Sequence, residues 1–148
     1  MTAEELRRAL VSGNILYLSD PQIACGIPHY HIFIKKIDGS YLTTACCTSQ
    51  FEKNFKHITR VRESLETLVS IDHETADNRL HDFTYVNCNG YFTYTEAELL
   101  LLNAKRDIPF CGTVTAFEFQ KILHGFLISR RIDEEFKDEV RMLLDDCD

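Results

Sequence analysis

The fold of this chain is decided by residues 28–49, PHYHIFIKKIDGSYLTTACCTS. Two strand-like runs flank Asp38-Gly39, a dipeptide typical of the tight turn in a β-hairpin. Because side chains alternate along a strand, the first strand has one apolar face and one face with two histidines. Tyr30, Ile32 and Ile34 share the first face, and His29, His31 and Phe33 share the second.

The histidine face is a candidate catalytic site. His29 and His31 are two residues apart, about 7 Å along a strand that rises roughly 3.3 Å per residue. The returning strand ends in Thr48-Ser49, so the hairpin brings two hydroxyl groups back towards the imidazoles. Imidazole, with an unperturbed pKa of about 6.5, serves as acid or base near neutral pH. A structural role for histidines at a strand edge is the alternative that the sequence leaves open.

The composition is that of a soluble globular domain. Of 148 residues, 45% are hydrophobic and 26% are charged, enough for one core. The sequence has neither an apolar run of about 18 residues nor a signal-peptide pattern, so we expect a cytoplasmic protein without membrane contact. The six cysteines lack disulfide or zinc spacing, so we expect buried free thiols, no metal and no cofactor.

Charge is unevenly distributed. The net charge is −7, and residues 132–148 hold eight acids against two bases, which gives −6. Residues 51–62 carry four bases against Glu52, or +3. A local basic strip of this kind is a candidate RNA-binding surface, and a solvated helix face is the alternative. The four basic residues are Lys53, Lys56, Arg60 and Arg62.

Local signals place strands early and most helices late. Capping boxes at Thr2, Thr95 and Thr115, and an acidic helix start at Asp133, predict four helices. Residues 51–65 fit either a loop or a helix. Asn89-Gly90 predicts a turn with left-handed backbone. Besides the hairpin, strands are predicted over residues 14–18, 68–71 and 83–88.

These elements predict a single α+β domain over residues 1–148. Residues 13–94 form its β core, a small and strongly bent antiparallel sheet. Residues 95–148 are helical and pack on that sheet, so the helices are concentrated in the C-terminal third.

The strand order resembles that of a known family. A glycine-led first strand, Gly13-Asn14-Ile15-Leu16-Tyr17-Leu18, and a proline-containing loop precede Ile32-Phe33-Ile34, and the next strand ends in Cys47-Thr48-Ser49. Over residues 13–88 this order resembles the SH3-like barrels of the PemK/MazF-type growth-inhibitor toxins of bacterial toxin–antitoxin pairs. His29, after Pro28, stands where the family has a catalytic arginine, and Thr48 or Ser49 matches its hydroxyl residue.

The resemblance implies a hydrolase, a metal-independent endoribonuclease that cleaves single-stranded RNA. His29 and His31 would then be the acid and base, and Thr48 or Ser49 would donate to a phosphate oxygen. The basic strip would bind RNA, an antitoxin-like protein would be the partner, and a homodimer is left open. The alternative is a non-catalytic SH3-like interaction module, regulatory or immunity-type, that uses the acidic C-terminal helix. Histidine in place of arginine favours that alternative, because neutral imidazole holds phosphate poorly.

Overall fold

The computed structural model describes residues 1–19, 28–38, 41–48, 50–74, 78–80 and 83–146, with the backbone alone for 41–48. Gly39 and Ser49 of the predicted hairpin therefore lie outside the described residues. In chain order the elements are α1 (Ala3–Ala9), β1 (Asn14–Leu18), β2 (His29–Ile37), β3 (Tyr41–Thr48), α2 (Phe51–Arg60), a 3-10 turn (Leu65–Thr67), β4 (Leu68–Ile71), β5 (Thr84–Asn87), β6 (Phe92–Thr95), α3 (Glu96–Lys105), β7 (Phe110–Thr113), α4 (Ala116–Ile128) and α5 (Glu134–Asp146).

The predicted hairpin is confirmed. β2 and β3 pair antiparallel from His31 opposite Cys46 to Ile37 opposite Tyr41. Asp38, at the turn, has a left-handed backbone with φ 54°, a conformation that aspartate tolerates better than most residues. The pairing register shifts between Phe33 and Lys35, as at a β-bulge. Alternation along β2 decides which of its side chains share a face.

β3 is the strand at which two parts of the sheet meet. Its first half, Tyr41 to Thr44, pairs with β6, and its last two residues pair with β5. The antiparallel order is β4-β5-β3-β2-β1-β7, with β6 beside β3. Among the described residues the sheet is open, with β4 and β7 as its end strands. The prediction of an α+β domain with an antiparallel sheet is confirmed.

Both faces of the sheet are packed. Ile32 and Ile34 of β2 belong to one core cluster, which includes Phe126 of α4 and Val140 of α5. Phe33, on the opposite face, belongs to a second cluster. That second cluster joins β1, β2 and β6 to two helices through Leu6 of α1, Leu16, Leu18, Tyr94, and Leu99 of α3. The histidine face of β2 is therefore turned towards a packed layer rather than towards open solvent.

The helices are not clearly concentrated in the C-terminal third, where they were expected. Among the described residues, α1 and α2 precede residue 95 and α3, α4 and α5 follow it. The Thr2–Glu5 capping box holds α1. α2 forms because Ile58 on one side is fully buried while its basic residues face water, the amphipathic pattern of a surface helix.

Candidate functional site

His31 is a core residue. Its exposed fraction is 0%, and its ring packs edge-on against Phe92 and Tyr94 at centroid distances of 5.6 and 6.1 Å. Burial, together with the neighbouring charge of His29, lowers the pKa of His31 to about 4. His31 is therefore uncharged near neutral pH and has no surface on which a substrate could lie.

His29 and Thr48 leave the hairpin in different directions. β2–β3 pairing ends at His31 opposite Cys46. Beyond that pair, His29 of β2 is paired with Leu18 of β1. Thr48 of β3 is instead paired with Tyr85 of β5. His29 is half-buried, and its Nδ1 has no hydrogen-bond partner among the described residues. The backbone pairing therefore does not join the predicted histidine and hydroxyl into one pair, and Ser49 lies outside the described residues.

Most of the predicted basic strip lies along one side of α2. Lys53, Lys56 and Arg60 are exposed at helix spacings that put them on one side of α2. None of the three forms an ion pair with a described residue. Arg62 lies past the helix, with φ 59°, and its carbonyl accepts a hydrogen bond from the guanidinium of Arg130. Three of the four predicted RNA-binding residues thus form a continuous positive stripe.

A surface pocket of about 340 Å³, with both polar and apolar lining residues, opens beside this stripe. It lies between α2 and the segment that joins β5 to β6, and Arg131, between α4 and α5, adds to its lining. Sequence reasoning did not find it, because its walls come from three separate parts of the chain. The lining residues are Asn54, His57, Asn87, Asn89, Gly90, Tyr91, Phe92 and Arg131.

Asparagine side chains hold the pocket together. The Asn87 amide donates to Asn54 Oδ1 at 3.2 Å, which ties β5 to α2. The Asn89 amide donates to Thr67 Oγ1 at 2.8 Å, and Ser129 Oγ donates to Asn89 Oδ1 at 2.6 Å. These amides are occupied by the protein itself, so they position the pocket rather than present themselves to a ligand.

The predicted left-handed turn at Asn89-Gly90 is wrong. Among the described residues, the only glycines with positive φ are Gly13 and Gly112, and Asn89 has negative φ. Asn87 Oδ1 instead accepts the backbone N–H of Asn89 at 3.0 Å. This side chain-to-backbone bond closes the turn in place of left-handed backbone.

His57 and Arg131 are the two ionisable side chains in the pocket wall that can serve a ligand. His57 Nδ1 lies 3.2 Å from a guanidinium nitrogen of Arg60. Since guanidinium only donates, Nδ1 accepts, and Nε2 carries the proton of the neutral ring. Arg131 is exposed and forms no ion pair within the described part of the chain. An imidazole and a free guanidinium thus share one cavity, a combination suited to a phosphate.

One ring connects this pocket with the predicted histidine site. Phe92 lines the pocket and also contacts His31. The sequence-predicted site and the observed pocket are therefore neighbours, with His31 on the buried side. His57 could have been predicted as a site residue from the sequence, because it lies within the basic strip of residues 51–62. Arg131 could not have been predicted, because no pattern in the neighbouring sequence marks it as a site residue.

Tyr91 fastens the pocket to α5. Its hydroxyl donates to Asp133 Oδ1 at 2.6 Å, and its ring stacks on Phe136 with centroids 4.1 Å apart. Burial and this hydrogen bond raise the pKa of Tyr91 to about 12, and the same bond lowers the pKa of Asp133. Tyr91 is therefore a protonated, structural donor at neutral pH.

The described thiols are structural. Cys88 and Cys111 are free and buried, as predicted, and burial raises the pKa of each. A protonated, buried thiol is a poor nucleophile. Within the described residues, no three His, Cys, Asp or Glu side chains converge in a metal-binding arrangement.

Comparison of the sequence with protein-family models and with curated proteins gives no match. The resemblance of residues 13–88 to the PemK/MazF-type toxins therefore stays a prediction. Among the helices of the described residues, none has both the length and the apolar character that a bilayer crossing requires.

Proposed function

We propose that this protein is a metal-independent endoribonuclease of the toxin class, and that it cleaves single-stranded RNA in the pocket beside α2. The observation that carries the proposal is that the exposed basic stripe borders a pocket containing His57 and Arg131. Lys53, Lys56 and Arg60 would attract the RNA backbone, because neutralising phosphates releases their counterions.

The proposed reaction is attack of a ribose 2′-oxygen on the adjacent phosphorus. An O2′–P bond forms, the P–O5′ bond breaks, and the products are a 2′,3′-cyclic phosphate and a 5′-hydroxyl. When an RNA phosphate draws Arg60 away from Nδ1, His57 can change tautomer, and Nε2 can accept the 2′-hydroxyl proton. The imidazolium then returns a proton to O5′. Arg131 would stabilise the charge that develops on the phosphorane oxygens.

This proposal moves proton transfer from His29 and His31 to His57. The burial of His31 and its pKa of about 4 leave it uncharged and out of reach. We assign His31 a positioning role, because its ring supports Phe92 in the pocket wall.

We propose an SH3-like barrel as the finer description of the fold. It is supported by the pairing of β3 with three strands, β2, β5 and β6. It is also supported by contacts on β7, where Asn78 bridges Gly112 and the Arg79 N–H donates to the Cys111 carbonyl at 3.0 Å. These contacts bring the segment after β4 against the other end strand. The cytoplasm as site of action and an antitoxin-like partner are proposed with it, on the resemblance of residues 13–88.

The test is cleavage of a long mixed-sequence RNA in excess chelator. Wild-type protein is expected to release discrete fragments, while His57→Asn and Arg131→Gln lose cleavage and retain the fold. His124→Asn, an exposed histidine of α4, is the matched control and should cleave normally. Full cleavage by His57→Asn would remove that residue from the mechanism, and intact RNA with the wild type would end the nuclease proposal.

A second function, the non-catalytic interaction module, is favoured by a different observation. Acidic side chains of Asp38, Asp133, Glu135, Asp138 and Glu139 surround a cavity of about 460 Å³ between β2 and α5. Such a surface would suit a basic partner segment. Binding of a lysine-rich peptide, weakened by Glu135→Gln and Asp138→Asn in a protein that leaves RNA intact, would select this function.

A further inference from the structure

Two phenylalanines of α2 lie on the surface. Phe51 is 42% exposed and Phe55 is 39% exposed, and their ring centroids are 5.7 Å apart. Phe51 also contacts Tyr85 of β5, at 4.9 Å. Three aromatic rings thus make one continuous surface, the aromatic platform, next to the strand pair that carries Thr48.

The platform lies outside the two core clusters, and its main fold contact is that of Phe51 with Tyr85. α2 is anchored by Ile58, which is fully buried, and neither Phe51 nor Phe55 belongs to the two core clusters of the described residues. Leaving about two fifths of each residue exposed forgoes part of the free energy that full burial would contribute. Adjacent exposed aromatic rings are typical of a binding surface.

The charge around the platform indicates what it binds. With 3.6 residues per turn, the outer surface of α2 carries first the phenylalanines and then the exposed Thr59 and Glu52. The three basic residues of the stripe follow, and His57 comes after them. The basic stripe therefore lies between the aromatic platform and the pocket. A strand crossing the helix would place phosphates on the cations while its bases reach the rings.

Resting on the proposed function, we infer that Phe51, Phe55 and Tyr85 stack unpaired nucleobases and make the protein selective for single-stranded RNA. Every base has a π-face, so stacking on aromatic rings is tolerant of sequence. A duplex hides those faces in its own stack. The helix is about 10 Å across, so the bases on the platform would flank the nucleotide in the pocket.

The experiment measures binding to labelled 2′-O-methyl oligouridine by fluorescence anisotropy. This probe lacks the attacking hydroxyl, so binding is observed without cleavage. Two further probes are an abasic strand of equal length, with the same phosphates and no bases, and a duplex of the same RNA. Wild-type protein is expected to bind the single strand about tenfold tighter for each base that stacks than it binds the abasic strand.

The double variant Phe51→Leu/Phe55→Leu keeps apolar, helix-compatible side chains and removes the rings. It is expected to lose the preference for bases and to bind the abasic strand as the wild type does. Phe117→Leu is the matched control, because Phe117 is 67% exposed on a different helix, α4. Phe55→Tyr should retain binding if a ring is what the site needs.

Several outcomes would overturn the inference. They are equal wild-type affinity for the base-bearing and abasic strands, unchanged binding by the double variant, or no binding to any probe. If the wild type is a dimer and the double variant is a monomer with unchanged RNA binding, the rings form a contact between copies of the chain.

Failure of the nuclease proposal is distinguishable from failure of this inference. If the protein binds bases through the platform but leaves unmodified RNA intact, base stacking is supported and the nuclease reaction is refuted. If His57→Asn abolishes cleavage while the double variant binds normally, the nuclease reaction is supported and base stacking on the platform is refuted.

Discussion

The rings of His31 and Phe92 meet edge to face, with centroids 5.6 Å apart and planes 67° apart. Phe92 lines the pocket that also contains His57. The buried histidine of the hairpin therefore contacts the pocket wall, and the histidine that a ligand can reach belongs to α2. This relationship gives the two histidines different expected behaviour.

His31 is expected to make the free energy of unfolding depend on pH. Its pKa falls from 6.5 to about 4 on folding, so between these values the unfolded chain binds the proton more readily. Stability from this source is full above pH 6.5 and is lost as the pH falls towards 4, by about 3 kcal/mol in the free energy of unfolding. Urea unfolding across this range should show a shallower pH dependence for His31→Leu, whatever that variant's starting stability. An unchanged slope would contradict the assignment.

The basic stripe is expected to set the salt dependence of RNA binding. Replacing Lys53, Lys56 and Arg60 with glutamine should reduce the slope of log affinity against log salt by about 2, since each single-strand phosphate contact contributes about 0.7. Binding titrations of 2′-O-methyl oligouridine at several salt concentrations measure this slope. Glu52→Gln, on the same helix, should leave the slope unchanged. A triple variant with the wild-type slope would show that RNA does not follow α2.

Glu118 is expected to stabilise the protein more than its counterpart in α1. It is buried, accepts the Thr115 N–H at 2.9 Å, and accepts the Asp72 N–H at 2.7 Å, which ties α4 to the end of β4. Glu118→Ala leaves the part-buried N–H groups of Asp72 and Thr115 without their acceptor and should cost about 2 kcal/mol. Glu5→Ala removes an exposed capping box and should cost about 1 kcal/mol or less. Chemical denaturation of both variants compares the costs, and equal losses would refute this role for Glu118.

Gly125 is expected to be required for packing. A Cβ at this position would lie 2.8 Å from Cys88 Sγ and 3.0 Å from Cys88 Cβ. Gly125→Ala should therefore destabilise the protein by about 1–3 kcal/mol, although alanine is the better helix former. Gly90→Ala is the control, because a Cβ there meets nothing within 4 Å. Thermal unfolding measures both, and a Gly125→Ala variant as stable as wild type would contradict the close packing of α4.

Elements with local signals were predictable. The hairpin follows from alternation and Asp38-Gly39, and α4 begins at the Thr115 capping box, because these signals act within a few residues. β6 was not predicted, since its four residues pair with Tyr41 to Thr44, about fifty residues earlier in the chain. A short strand of this kind is defined by its partner rather than by its own composition.

The sequence by itself determined the two faces of β2 and the helix starts with their own caps, but it left residues 51–65 open between a loop and a helix. The two faces and the helix starts depend on periodicity and on contacts between near neighbours. Only the tertiary structure decided that the histidine face would be covered, because both faces of the sheet carry helices and alternation does not say which residues remain open. It also decided that Asn54, Asn87 and Arg131 would share one pocket with His57. Burial and convergence are properties of distant segments packed together, and no local pattern contains them.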